Sequence, residues 1–173
     1  MKETIETKRL LLRKFRIEDA DEMFSNWAND SEVTKYMTWE PHLNVEVTKN
    51  ILSLWINEYE NPKTYRYAIT IKETGELIGS IDVVDFVNGC PEIGYCLSRK
   101  HWNKGLMTEA CKAFISYLLN EGFSKIVIEA EVNNIGSNRV IEKCGFKYTH
   151  QEERLCSEAK PYPVVVNWYQ LTK

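Results

Sequence analysis

The sequence predicts an α+β fold, built on one mixed, mostly antiparallel sheet of six to seven strands with helices around it. Three short strand patterns between residues 65 and 97 are joined by turn residues, which indicates consecutive antiparallel strands. Residues 92–132 then follow the order strand, helix, strand, which places two strands parallel to each other. Together these patterns indicate a single sheet in which one parallel pair interrupts the antiparallel order.

The N-terminal region predicts one strand followed by helices. Residues 9–15 form a short apolar run between charged ends, as in a buried strand. Asp19 to Ala28 carries apolar side chains at helical spacing, and a shorter helical piece spans residues 32–37. A longer helix is predicted from Asn44 to about Tyr59. The side chains expected to face inward from it are Val47, Ile51, Leu54, Trp55 and Tyr59.

The middle of the chain changes to strand periodicity. Residues 65–71 and 77–86 flank a turn that contains Gly75, which predicts a hairpin. Asn88-Gly89 is a strong turn signal, and it leads into a third strand over residues 92–97. These three segments are the antiparallel part of the predicted sheet.

The C-terminal half alternates helices and strands. An amphipathic helix spans residues 105–121, and a strand follows over residues 125–132. A short helix is predicted from Ser137 to Cys144. Residues 146–154 and 164–171 can close the sheet as a final pair of strands.

Length and composition narrow the class of protein. The 173 residues suit one domain, which we assign to residues 1–173. A net charge of −3 argues against a nucleic-acid partner, since such binders are usually basic. The five cysteines form no CxxC pair and the N-terminus lacks a signal-peptide core, so we expect a cytoplasmic location. No apolar stretch approaches the roughly 20 residues of a membrane span, so no membrane partner is expected, and the oligomeric state stays open, a homodimer included.

A basic run from His101 to Ala110 predicts an anion site. Asn103-Lys104-Gly105 stands where a strand exit becomes the start of a helix, and first-turn N–H groups of a helix can bind phosphate. Gly105 lets the backbone approach a ligand closely, and Lys104 adds a positive charge. The alternative is that Asn103 only caps the helix and Lys104 is a solvated surface charge.

A second run, from Asn133 to Phe146, places polar side chains at the start of the short helix. Asn133 and Asn138 can each offer a donor and an acceptor to an amide-bearing ligand. The alternative is a turn at Asn133-Asn134 and a helix cap at Ser137.

The two runs together resemble the coenzyme-A-binding core of the GNAT N-acetyltransferases, over about residues 7–172. Gly105 stands at the central glycine of the family pattern Gln/Arg-x-x-Gly-x-Gly/Ala. Two positions depart from it, since Trp102 stands at the first position and Met107 at the last. The form around Trp102 is typical of the subfamily that resembles ribosomal-protein N-terminal acetyltransferases.

This resemblance implies acetyl-CoA as the co-substrate, bound beside a splayed parallel strand pair. Its pyrophosphate would lie on the backbone of the basic loop and its pantetheine arm near the asparagines. The residues implied in coenzyme binding are Leu97, Trp102, Asn103, Lys104, Gly105, Leu106, Met107, Thr108, Asn133 and Asn138.

Competing cofactor and nucleophile motifs are missing from the sequence, which contains no G-x-G-x-x-G, GxxxxGKS/T, GxSxG or HExxH. His42, His101 and His150 are too scattered to predict a metal site. Cys96 could suggest an acetyl-cysteine intermediate, but no positioned histidine accompanies it. A small buried residue is the favoured interpretation of Cys96.

Glu92 and Ser137 are the candidate catalytic residues. Glu92 resembles the strand glutamate that acts as base in several GNAT enzymes, although an exposed strand-start glutamate is an equal alternative. Many family members protonate the departing thiolate with a tyrosine, but Ile141 occupies that position here. Ser137 is the nearest hydroxyl, with helix capping as its alternative role. Glu153 and Glu158 are reserve candidates for the base.

The resemblance implies direct transfer of the acetyl group to a primary amine. A protein N-terminus is the first choice of acceptor and a small-molecule amine the alternative, because a fold does not fix a substrate. A non-catalytic acyl-CoA-binding module is a further alternative, since Ile141 removes the usual acid. Acidic and aromatic side chains are expected to line the acceptor cleft: Trp27, Tyr36, Trp39, Trp55 and Tyr59 from the N-terminal helices, and Glu152, Glu153, Glu158 and Tyr162 from the closing strands.

Overall fold

Eight strands and five α-helices lie within residues 2–173, the part of the chain that the computed structural model describes. The strands are β1 (Thr4–Glu6), β2 (Leu10–Arg13), β3 (Arg66–Ile71), β4 (Leu77–Val87), β5 (Cys90–Leu97), β6 (Lys125–Glu131), β7 (Lys147–Leu155) and β8 (Pro163–Thr172). The helices are α1 (Ala20–Met23), α2 (Ser31–Thr34), α3 (Val45–Glu58), α4 (Leu106–Asn120) and α5 (Ile135–Lys143).

All eight strands form one mixed sheet in the order β1-β2-β3-β4-β5-β6-β8-β7, which confirms the predicted fold class. Neighbouring strands are antiparallel except β5 and β6, which run parallel and register at one position, Glu92 with Val127. Beyond these two residues β5 and β6 separate, as expected for the splayed parallel strands that the sequence predicts. The strand that sequence reasoning did not predict is β1, whose three residues are too few to show a period.

Helices cover both faces of the sheet. On one face α4 and α5 pack over a core that includes Tyr67, Phe114 and Ile141. On the other face the N-terminal helical region packs around Trp27 and Leu52. None of the helices within residues 2–173 is long and apolar enough to cross a membrane.

The N-terminal helical region departs from prediction in two ways. The first predicted helix is divided into a 3₁₀ turn (Ile17–Asp19), α1 and a π-helical turn (Phe24–Ala28). In α3 the prediction for Leu54 is wrong, because this side chain is 60% exposed. Thr48 and Leu52 are buried instead, on a stripe that is rotated from the predicted one. Because α3 carries apolar residues on several faces, the spacing of apolar residues alone does not show which face is buried.

Candidate active site

A gap opens between β5 and β6 beyond the pair of Glu92 and Val127. On the opposite edge of β5, the Ser98 N–H donates to the Ile78 carbonyl across 2.7 Å. Since the residues that hydrogen-bond alternate along an antiparallel pair, the N–H of Leu97 points away from β4 and into the gap. The end of β5 therefore presents a backbone donor to whatever enters between the two strands.

Trp102 fastens the loop that follows β5 to the end of that strand. Its indole N–H donates to the Leu97 carbonyl across 2.7 Å, while the residue is 40% exposed. The one polar group of Trp102 is thus used within the protein. A contact between Trp102 and the coenzyme would have to be made by the ring, and the indole also fixes the strand end that carries the Leu97 N–H.

The start of α4 has the features of the predicted anion site. Asn103 and Gly105 have positive φ angles of 59° and 73°, so the loop turns sharply into the helix. The N–H groups of Leu106, Met107 and Thr108 belong to the first turn of α4 and have no carbonyl partner within that helix. The side chains of Leu106 and Met107 are buried, which leaves their backbone to face a ligand.

Two cations accompany these N–H groups, and sequence reasoning missed one of them. Lys104 is exposed in the loop. The Arg9 guanidinium pairs with Glu109 through Nε at 2.7 Å and donates from Nη1 to the Lys104 carbonyl at 3.0 Å. Its Nη2 lies 3.7 Å from where a Cβ on Gly105 would stand. A helix start with two adjacent cations fits a pyrophosphate.

A cleft of about 330 Å³ lies on the sheet face that the N-terminal helical region covers, and it reaches the gap between β5 and β6. The predicted aromatic wall is present, except that Tyr59 is not among the lining residues. The predicted acidic wall is wrong: the lining carboxylates are not those of the β7–β8 region. The carboxylates that line the cleft are Asp82, Glu92, Glu129 and Glu131, and the aromatic side chains are Trp27, Tyr36, Trp39, Trp55 and Tyr95.

Glu92 lines this cleft and is half-buried, and this position strongly shifts the pKa of its carboxyl group. Burial raises the pKa of the Glu92 carboxyl to about 7, repulsion from Glu129 and Asp85 adds to the rise, and Arg154 opposes it. A carboxylate with a pKa near neutrality can accept a proton and release it at working pH. The structure thus gives Glu92 the electrostatic character of a general base.

Arg154 is the cation of the cleft. It reaches across β8 to Glu129 on β6, where its Nε lies 3.3 Å from Oε2 and its Nη2 contacts Oε1. Its Nη1 also donates to the carbonyls of Leu155 and Cys156 at 2.7 and 2.8 Å. Arg154 therefore neutralises Glu129 and leaves Glu92 as the less compensated carboxyl group of the pair.

Ser137 lies at the other side of the gap, in the first turn of α5. The helix cap is Asn134, whose Oδ1 accepts from the Ser137 N–H at 3.2 Å, so the Ser137 hydroxyl is not needed for capping. That hydroxyl lies 3.0 Å from the hydroxyl of Tyr95 on β5. Tyr95 and Ser137 both line the cleft, and sequence reasoning did not identify Tyr95.

The expectation that Asn138 faces the pantetheine arm needs correction. Its side-chain nitrogen donates to the carbonyls of Glu131 and Asn134 at 2.9 and 2.8 Å. Its oxygen accepts from Asn167 at 2.9 Å and from Tyr169 at 2.6 Å. All four hydrogen-bonding positions of the amide are used, so this side chain connects α5 to β6 and β8.

Asn133 keeps an exposed position at the end of β6. Its carbonyl accepts from the Tyr36 hydroxyl at 3.2 Å, which joins the N-terminal helical region to the β6–α5 turn. The Asn133 side chain points outside the buried network that holds Asn138, so it stays a predicted contact for the coenzyme.

Cys96 is buried, and its Sγ lies 3.2 Å from the Ser80 hydroxyl. Burial raises the pKa of the Cys96 thiol to about 11, which keeps it protonated at neutral pH and makes it a poor nucleophile. This environment favours the buried packing role over an acetyl-cysteine intermediate. No group of three or more metal-ligating side chains was found within residues 2–173.

Comparison with known proteins gives a consistent result. The family model described as an acetyltransferase (GNAT) domain matches residues 9–147. The chain is 36% identical over 149 residues to the uncharacterized N-acetyltransferase p20 of Bacillus licheniformis, covering 84% of this chain and 83% of that protein. It is also 33% identical over 85 residues to the ribosomal-protein-serine acetyltransferase of Escherichia coli, covering 47% and 48%.

A solved structure supports the fold. The chain matches the Microcin C7 self-immunity acetyltransferase MccE, whose structure is a complex with acetyl-CoA and AMP. The TM-score is 0.83 at 21% identity, and the match covers 96% of this chain and 94% of that one.

Proposed function

The chain belongs to the GNAT acetyltransferase family, and we propose that it moves the acetyl group of acetyl-CoA to a primary amine by direct attack in a ternary complex. Acetyl-CoA is the acetyl donor of this family, and the enzyme is an acyltransferase. The observation that carries the mechanism is the position of Glu92, a carboxyl group with a pKa of about 7 on the cleft wall where β5 and β6 separate.

The coenzyme occupies the α4 start and the gap in this proposal. The pyrophosphate accepts hydrogen bonds from the N–H groups of Leu106, Met107 and Thr108, with Lys104 and Arg9 as counterions. The pantetheine arm follows the open edge of β5. The thioester carbonyl then lies near the Leu97 N–H, which stabilises the negative charge that develops on its oxygen.

Glu92 acts as the general base. An ammonium group cannot attack until it loses a proton, and its pKa is about 7.7–8.0 at a protein N-terminus and about 10 on an alkyl chain. The Glu92 carboxylate accepts that proton, and its raised pKa brings its basicity closer to that of the amine. Asp82 and Glu129 are paired with Arg66 and Arg154, so Glu92 and Glu131 are the lining carboxyl groups that attract the cationic form of the acceptor from solution.

Ser137 assists departure of the sulfur. Its hydroxyl lies at the cleft, free of the capping role, and it can donate a hydrogen bond to the departing thiolate. A thiol is a much stronger acid than an alcohol, with a pKa near 8.5 for free cysteine, so a thiolate leaves with modest assistance. This explains how a chain with Ile141 in place of the usual tyrosine can still be an enzyme.

The acceptor is an exposed protein N-terminus. Acidic and aromatic side chains in one cleft suit a cationic amine through Coulomb attraction and cation–π contact. The resemblance to a ribosomal-protein-serine acetyltransferase supports a protein acceptor.

A small amine is the second candidate, and a specific feature favours it. Residues 34–39, here called the cover segment, lie over the cleft and are tied down at three points. Lys160 Nζ donates to the Thr34 carbonyl at 2.7 Å, and Tyr36 and Cys156 make the other two contacts, to the carbonyls of Asn133 and Met37. A covered cleft admits a compact amine more readily than a folded protein surface.

A screen of acceptors tests the proposal. N-terminal peptides and small amines are incubated with acetyl-CoA, and the release of free thiol is followed. We expect turnover with peptides and loss of that turnover in Glu92→Gln. Activity on small amines alone would move the acceptor to the second candidate, and silence across both sets would contradict the proposed reaction.

A further inference from the structure

Tyr95 occupies a position that the proposed mechanism has not used. It projects from β5 towards the first turn of α5, where its hydroxyl lies 3.0 Å from Ser137 Oγ and 3.3 Å from the Ser137 carbonyl. Ile141, at the position of the usual acid, is fully buried. The hydroxyl pair of Tyr95 and Ser137 therefore spans the gap through which the thioester is expected to enter.

A serine hydroxyl carries one proton and two acceptor lone pairs, and the proton rotates to suit its neighbours. When another group donates a hydrogen bond to the serine oxygen, one lone pair is occupied. The serine O–H must then point away from that donor, which fixes its direction. A hydroxyl that donates to the serine oxygen also polarises the serine O–H and makes it a stronger hydrogen-bond donor. Burial raises the pKa of the Tyr95 phenol, so the phenol keeps its proton and serves as a donor.

We propose that Tyr95 is a positioning residue for acetyl transfer: its hydroxyl donates to Ser137 Oγ, which at 3.0 Å is nearer than the competing Ser137 carbonyl at 3.3 Å, and directs the single proton of Ser137 to the departing sulfur. This inference rests on the proposed function, in which Ser137 assists the leaving group. It assigns to two hydroxyls on neighbouring elements the task that one tyrosine performs in many relatives.

Glu92 takes the first proton from the ammonium form of the acceptor and passes it to water. The neutral amine nitrogen then forms the new bond to the thioester carbon, and Glu92 takes the second proton that the nitrogen loses. The carbon–sulfur bond breaks with its electron pair on sulfur. Ser137 donates a hydrogen bond to the thiolate while Tyr95 donates one to Ser137, so both keep their protons, and the thiolate takes a proton from water as CoA leaves.

The competing explanation is that Tyr95 only fills space between β5 and α5. Tyr95→Phe separates the two, because it keeps the ring and removes one oxygen. Tyr169→Phe is the matched control: that hydroxyl is also buried and also holds α5, through Asn138 Oδ1 at 2.6 Å, but it does not contact Ser137. Thermal unfolding of both variants gives the purely structural effect of losing such a hydroxyl.

The test compares two acetyl donors. With acetyl-CoA, Tyr95→Phe should lower kcat about tenfold at unchanged KM for acetyl-CoA, the effect of one lost hydrogen bond in the transition state, and Tyr169→Phe should not. With an acetyl ester of nitrothiophenol, whose thiolate leaves unaided, kcat/KM of Tyr95→Phe should stay within about twofold of the wild type. Ser137→Ala should give the same result with each donor. The double variant Tyr95→Phe/Ser137→Ala should lose no more kcat with acetyl-CoA than either single variant.

The outcomes are distinguishable. A wild-type protein that acetylates no amine contradicts the proposed function and this inference with it. Suppose that the wild type is active. The inference alone is then overturned if Tyr95→Phe loses the same factor in rate with both donors, or loses no rate with acetyl-CoA. Additive losses in the double variant would likewise show that Tyr95 does not act through Ser137.

Discussion

Glu92 and Val127 form the one registered pair between the parallel strands β5 and β6, so the Glu92 carboxyl group stands where the two strands part. This location brings the carboxyl group close to both ligands of the proposed reaction: the gap receives the thioester and the cleft receives the amine. It also explains the perturbed pKa, because the site is withdrawn from water and Glu129 projects from the neighbouring strand.

The raised pKa of Glu92 predicts a pH-dependent cost in stability. The folded pKa is about 7 against an ordinary value of 4.5, so the folded protein holds the Glu92 proton more tightly than the unfolded chain. The cost is absent below pH 4.5, grows as the pH rises to 7, and is constant above it. Glu92→Gln removes the charge, so above pH 7 it should be more stable than the wild type by about 1–2 kcal/mol, after allowance for solvent screening.

Denaturant unfolding of wild type and Glu92→Gln at pH 8 and pH 4.5 measures this difference. The expected gain at pH 8 should vanish at pH 4.5. An equal change at both values would show that the glutamine alters packing and that the carboxyl group is not strained by its surroundings.

Arg154 should set the working pH of the enzyme. Arg154→Gln removes the cation that lowers the pKa of Glu92, and it also leaves Glu129 without its partner. Both changes push the pKa of Glu92 upward, so the acidic limb of the rate profile should move to higher pH and activity at pH 7 should fall. Arg154→Lys keeps the positive charge and is the matched control, with a smaller displacement. A limb that does not move in Arg154→Gln would argue that another group titrates.

Arg9 should contribute to coenzyme affinity through the pyrophosphate alone. Arg9→Gln should weaken CoA binding by about three- to tenfold in calorimetric titration, since a charged hydrogen bond is worth about 1 kcal/mol at an exposed site. Turnover with acetyl-pantetheine, which lacks the pyrophosphate, should not change. Equal losses with both donors would indicate that Arg9 supports the loop only through Glu109 and Lys104.

Gly79 should be intolerant of any side chain, because β4 passes very close to the end of β5 there. A Cβ on Gly79 would lie 2.3 Å from the Cys96 carbonyl oxygen and 3.2 Å from Leu97 Cα. We expect Gly79→Ala to destabilise the fold by about 1–3 kcal/mol, as overpacking does. Gly136→Ala, in the helix α5 with its nearest neighbour atom at 3.9 Å, is the control and should be neutral or stabilising. A stable Gly79→Ala protein would contradict the close approach.

Most of the fold could be predicted from patterns within short stretches of sequence. The turn at Asn88-Gly89 was predictable because these residues tolerate positive φ, and the structure has 51° and 77° there. The basic loop was predictable because Gly105 and its neighbours stand at a strand-to-helix junction. Both features arise within a few consecutive residues, which is the range that sequence reasoning covers well.

The parts that could not be predicted depend on contacts between distant segments. Arg9 meets the α4 loop only because β2 lies beside it in space, and no local signal marks this contact. Asn138 looks like a ligand-binding asparagine in sequence, but its partners Asn167 and Tyr169 on β8 use its oxygen. The acidic wall was misplaced because β7 is the edge strand of the sheet, with β8 between it and β6, and this strand order cannot be read from the local sequence.

The pH dependence of kcat/KM for the acceptor amine, measured in wild type and in Glu92→Gln, decides whether Glu92 is the general base. If it is, the wild type has an acidic limb with an apparent pKa near 7. In Glu92→Gln the rate should fall about 10²-fold or more, and the limb near 7 should be replaced by one at the higher pKa of the acceptor amine itself, with CoA affinity unchanged. A Glu92→Gln enzyme that keeps its rate and the limb near pH 7 would exclude Glu92 as the base and leave it a structural residue of the cleft.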